Sequence, residues 1–196
     1  MRELKPSLFR RFARDRRAAS AVEFALSLPF LLVIYLGGIE LAQAISADRK
    51  VTLLARTITD LVAQSSNVSS DDVTSIFNVS TAVLYPLPVN AGGVENLKMK
   101  VSEVWTDAKK VSKFDWSKAQ NTAADTGGDL AKIPDPQAST ATVVATVSYR
   151  YTPVLAAGII GPLTLTKTIY MRPRLSECVS LDKGMCGSAA AAAYGS

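Results

Sequence analysis

The period of polar and apolar positions changes along the chain. From Phe24 to Ile39 no residue is charged, and Ala19 to Val22 and Leu41 to Ala47 extend a mostly apolar run past the roughly 20 residues that a spanning helix needs. Beyond it the apolar positions narrow to one side. Val51, Leu54, Ile58, Leu61 and Val62 recur at helical spacing to about Gln64, which predicts an amphipathic continuation of the same helix. Ser69 with Asp72 three positions on has the pattern of a capping box opening a short second helix, which Tyr85-Pro86 and Pro88 end.

The period then drops to two. Leu97 to Trp105 reads LKMKVSEVW, with Leu97, Met99, Val101, Glu103 and Trp105 sharing a face. Thr140 to Tyr151 sets Val143, Ala145, Val147, Tyr149 and Tyr151 against Thr142, Val144, Thr146, Ser148 and Arg150. Leu163, Leu165, Lys167, Ile169 and Met171 oppose Thr164, Thr166, Thr168 and Tyr170 in the same way. Three strands make a small antiparallel sheet with one apolar face, and the stretch from Asp48 to Gln64 is the available cover. The fold class is therefore α+β: a single N-terminal transmembrane helix continuing into an amphipathic helix packed on a small antiparallel sheet.

Elsewhere the pattern is weaker. Ser112 to Ser139, with Gly127-Gly128, Pro134 and Pro136, reads mainly as loop. Lys109, Lys110, Lys113 and Lys118 with Phe114 and Trp116 make either a basic aromatic surface for a partner or glycan, or a solvated strand end. Thr152 to Leu165 is apolar but too short to span a bilayer, and reads as a buried connection or an exposed patch for another subunit. The tail from Ala189 reads as disorder.

Charge gives the helix a direction. Residues 1–17 hold seven Lys/Arg against two acids, leaving 15 of each sign in residues 18–196, so the formal +5 of the chain sits at one end. A nucleic-acid-binding domain would carry its basic surface on the folded body, and this body is neutral; anionic lipid is the better partner for the basic end. The seven basic residues ahead of the helix, against Arg49, Lys50 and Arg56 after it, place the N-terminus in the cytoplasm and the rest outside. Glu23 and Glu40 are 17 residues apart, about 25 Å along a helix, so they lie near opposite edges of a hydrocarbon layer. Pro29 is expected to kink the helix, and Gly37-Gly38 offers a soft spot or a close-packing face.

Chemistry is sparse. The chain has no histidine, no G-x-S-x-G and no phosphate loop, so no catalytic residue, metal site or cofactor is expected. Cys178 and Cys186 are too few for a structural zinc site; they enclose seven residues including Gly184, enough slack for a disulfide in an oxidising compartment.

The ordered combination of an Arg-rich start, small residues, Val22-Glu23-Phe24, Pro29 and "GGIELAQA" resembles the N-terminus of TadE-like pseudopilins of the tight-adherence (Flp-type) pilus and secretion machinery. "TATVVATVSYRYTPV" and "LTLTKTIYMRPR" are similar to later parts of such chains. The resemblance implies cutting by a prepilin peptidase on the cytoplasmic side, five positions before the glutamate, between Ala18 and Ala19. The chain departs from the pattern there, carrying Ala18 where the family has glycine. It implies that Glu23, followed by the aromatic Phe24, meets the new N-terminal amine of a neighbouring subunit as helices pack. An uncut chain would instead pair Glu23 with Arg16 or Arg17, or let it reach the cytoplasmic face. The implied partners are other pilin or pseudopilin subunits and an inner-membrane assembly platform.

The expected organisation is a cytoplasmic leader (1–18), a transmembrane helix (19–47), a periplasmic α+β domain (48–176) and a cysteine-containing tail (177–196), in a bacterial inner membrane. Two other readings stay open. Ala42-Gln43-Ala44 resembles a signal-peptide cleavage site, which would release a soluble protein; and a membrane-tethered binding module needs no helical bundle.

Overall fold

The computed structural model describes residues 16–91, 94–126, 131–154 and 161–185. Its elements are α1 (Arg16–Ala63), β1 (Asn67–Val68), α2 (Ser70–Ser80), a 3-10 turn (Thr81–Leu84), β2 (Asn90–Ala91), β3 (Val94–Glu95), β4 (Leu97–Thr106), β5 (Ser112–Gln120), β6 (Thr140–Tyr151), β7 (Leu163–Met171) and β8 (Ser180–Leu181).

The apolar run and its amphipathic continuation form one helix of 48 residues, uninterrupted through Pro29. At about 1.5 Å per residue it is roughly 72 Å long, more than twice a hydrocarbon layer. Its second half is an anchor for the core: Ala47, Val51, Leu54, Ile58 and Val62 are all buried, a stripe at three-to-four-residue spacing. They meet Leu97, Met99 and Val101 of β4 and Val143, Ala145, Val147 and Tyr149 of β6 in a single apolar cluster.

The main sheet is antiparallel, in the order β5-β4-β6-β7. It has four strands where the alternation predicted three. The segment read as loop from Ser112 supplies β5. Its pattern, SKFDWSKAQ, was illegible because Asp115 is an inserted residue: the register with β4 slips between Glu103 and Val104, pairing Glu103 with Trp116 and Val104 with Phe114. Trp116 is consequently turned into the core and buried, so it belongs to no basic aromatic surface.

The opposite face of the sheet is lined with hydroxyls. Thr146 and Thr168 (3.1 Å), Ser148 and Thr166 (2.9 Å), and Ser102 and Ser117 (2.8 Å) bond across neighbouring strands. Three contacts fix the sense of β7 against the helix. Val154 lies at Glu40, Lys167 pairs with Asp48 at 2.8 Å, and Arg174 pairs with Asp60, so β7 climbs α1 from the exposed half toward its C-terminal end. β6 therefore descends.

The capping box appears as expected: Ser69 accepts from the Asp72 N–H while Asp72 accepts from the Ser69 N–H. That second bond is the main reason the Asp72 carboxyl is held below its ordinary range. The loop expected across Thr152–Leu165 lies partly outside the described residues, as do Cys186 and the tail from Ala189.

Candidate assembly interface on the exposed half of the helix

Every residue from Ser20 to Gly38 is exposed within the chain, although the stretch is almost wholly apolar. Leu26, Phe30 and Val33 are each about 70% exposed, at 74%, 68% and 71%. Among the described residues this is one helix, Ser20–Ala63, long and apolar enough to cross a membrane. Among the described residues, a Cβ added at Gly37 or Gly38 would meet nothing within 4 Å, so no contact with them requires glycine at either position.

The two acids of the helix have different surroundings. Glu40 is buried and accepts the Val154 N–H at 2.6 Å, fastening the end of β6 to the helix where it leaves the apolar run. Tyr151, beside it, has its phenol pushed up by burial and then by the Glu40 charge. Glu23 is exposed, and among the described residues no hydrogen bond or ion pair reaches it. Phe24 next to it is 61% exposed, and its carbonyl accepts the Ser27 hydroxyl at 3.1 Å. Ala18 and Ala19 lie in the first turn of α1. Among the described residues no cysteine is free, which includes Cys178. The helix that would be cut after Ala44 in a signal peptide runs without a break into the buried stripe.

A second polar cluster escaped the sequence reading. Glu103, fully buried, accepts the Val179 N–H at 2.6 Å and the Trp116 Nε1–H at 3.2 Å, and the same indole N–H donates to the Val179 carbonyl at 2.6 Å. Burial, opposed by the Val179 N–H and reinforced by the Asp115 charge, pushes the Glu103 carboxyl up to about 8. One signal was present: an acid on the apolar face of LKMKVSEVW. Nothing local, however, points to a partner 76 residues away. Further along, Asp182 accepts from both the backbone N–H (2.8 Å) and the hydroxyl of Ser70, and these bonds hold its carboxyl low. The C-terminal strand β8 is thereby locked beside β1.

Among the described residues no group of three His, Cys, Asp or Glu side chains could hold a metal. A cavity of about 160 Å³ on the hydroxyl face is crossed by the ion pair of Lys100 and Asp125 at 2.9 Å.

Residues 18–59 match the family model described as TadE-like protein. No curated protein and no solved structure matches the chain. The matched stretch begins at the small residues ahead of Glu23 and ends inside the buried stripe, so it takes in both halves of α1. It is the helix, over residues 18–59, that is similar to TadE-like proteins.

Proposed function

We propose that this protein is a membrane-anchored, minor pseudopilin-type component of a tight-adherence (Flp-type) pilus or a related secretion assembly, and that it joins the assembly by lateral packing of the exposed half of α1. The observation that carries the reading is the exposed apolar helix with an acid at its start that has no partner among the described residues, coinciding with the family match. A carboxylate at the margin of a bilayer is costly when unpaired, by about 2.5–3.5 kcal/mol near the helix centre and less toward the edge. A positive group on a neighbouring helix removes that cost and so selects the neighbour. After cutting between Ala18 and Ala19 that group is the new N-terminal amine; without cutting it is a neighbour's arginine.

In this reading residues 1–18 are a cytoplasmic leader, 19–47 span the inner membrane, and 48–176 with the tail 177–196 stand in the periplasm, where Cys178 and Cys186 form a disulfide. The role is structural and needs no cofactor. Prepilin peptidase, other pseudopilins and the assembly platform are the partners.

The alternative, a tethered binding module, leaves the helix alone in lipid. Single cysteines placed along residues 24–39 of the full chain, oxidised in native membranes, separate the two. Lateral packing gives cross-links to another subunit's helix that rise and fall with a helical period. Cross-links absent throughout, or uniform along the stretch, contradict it.

A further inference from the structure

β5 and β7 are the two edges of one sheet, and they are finished differently. β5 carries Lys113 and Lys118, is bulged at Asp115, and has its Ser112 carbonyl taken by the Ala131 N–H at 2.7 Å. Each feature discourages a further strand from pairing. β7 has neither a bulge nor a carbonyl taken from outside its ladder among the described residues. Its nine residues, LTLTKTIYM, pair with β6 from Leu163 to Met171 without a bulge and include no proline. Its one charge, Lys167, is turned to the helix side and held by Asp48. Among the described residues no backbone hydrogen bond reaches β7 except those of the β6 ladder. In an antiparallel pair an edge strand aims the N–H and C=O groups of alternate residues outward, so about half of those of β7 stand open.

We propose that the free edge of β7 takes an extended strand from a different membrane-anchored subunit, added antiparallel as a fifth strand. The occupant follows from the direction of β7. Because β7 runs the same way along α1, pairing it antiparallel with β7 of a second copy would invert that copy's helix and withdraw it from the shared bilayer. The β5 edge of a second copy has the right direction but is the protected one. The added strand therefore belongs to another subunit and runs toward the membrane. Its side chains are apolar beside Leu165, Ile169 and Met171, which border the core, and small or hydroxylated beside Thr164, Thr166 and Thr168, which are exposed. Only this choice of occupant rests on α1 spanning a membrane; the open edge does not.

The test is residue-resolved hydrogen exchange of the full chain in detergent micelles, with a nine-residue peptide of sequence VVATVSYRY (residues 143–151, the segment that pairs antiparallel with β7 on its other side) as probe. The peptide is expected to slow the outward amides of β7 by about tenfold or more while leaving β5 unchanged, and the same peptide methylated on alternate nitrogens to do nothing. No slowing, or equal slowing on β5, overturns the proposal. Thr166→Pro and Lys167→Pro place proline at one outward and one inward N–H. The variant whose proline replaces the outward N–H is expected to keep the β6 ladder and lose the peptide, and if it still binds, the edge is not the site. Thr166→Cys in native membranes decides the occupant: cross-links to another subunit support it, and a disulfide-linked homodimer or no cross-link overturns it. Loss of helix cross-links on changing Glu23 would leave the peptide result unmoved, so the two readings fail separately.

Discussion

Burial of Glu103 makes the stability of the folded body depend on pH. Its carboxyl is raised from 4.5 to about 8 by burial, so between these values the folded chain holds a proton that the unfolded chain has lost. The stability this contributes is fully present below about pH 4.5 and is lost as pH rises through about 8, a swing on the order of a few kcal/mol. Glu103→Gln keeps one oxygen for the Val179 N–H, gives up the longer bond from the Trp116 indole, which still donates to the Val179 carbonyl, and removes the titration. Denaturant midpoints measured across pH are expected to fall with alkalinity in the parent and to stay level in the variant, making the variant the more stable at pH ~9. Asp182 and Asp72 act in the opposite sense, because hydrogen bonds to Ser70 and Ser69 hold both carboxyls low. Their contribution is present above about pH 4 and is lost as pH falls through their folded values. Faster amide exchange in the first turn of α2 at about pH 2 is the expected sign, and Asp182→Ala should bring it on at neutral pH.

Within α1 two halves of one helix obey different rules. Leu54 is buried to 0% and Leu26 is 74% exposed, yet both belong to an unbroken run of helix. Leu54→Ala is expected to cost about 2–5 kcal/mol of domain stability through the cavity it leaves. Leu26→Ala should leave that stability within about 0.5 kcal/mol, and should instead alter lateral cross-linking in the membrane. Thermal unfolding in micelles, paired with cross-linking yield, reads both effects. This division was legible in the sequence because a helix apolar on all sides and one apolar along a stripe have different patterns: the run without charge from Phe24 to Ile39, then the spacing from Val51 to Val62. β6 and β7 were legible for the same reason, since strict alternation has a single structural meaning. β5 was not. One inserted residue, Asp115, moves Trp116 onto the face that alternation assigns to its neighbour. Likewise the site around Val179 depends on contacts between residues far apart in sequence, which no local pattern encodes.

At the scale of the whole molecule the chain is a long helix with its first half bare and its second half built into a domain. Glu40 marks the transition, tying the end of β6 to the helix through the Val154 N–H. Glu40→Ala should loosen residues 152–154 and let the domain tilt against the helix, seen as faster exchange at Val154 with little change in β4. The similarity to TadE-like proteins spans both halves of the helix, since the matched residues 18–59 extend from the small residues before Glu23 to the buried stripe. What the match does not touch is the sheet, and there the unequal treatment of β5 and β7 is this chain's own evidence for a partner. The assembly reading turns on Glu23. Its most direct measurement is the yield of cross-links between a cysteine at position 26 and a neighbouring subunit's helix, in native membranes, for the parent, Glu23→Asp and Glu23→Gln. Loss of cross-links in Glu23→Gln with retention in Glu23→Asp, at unchanged protein levels, is the expected result; equal yields in all three would contradict a role for that charge in choosing the neighbour.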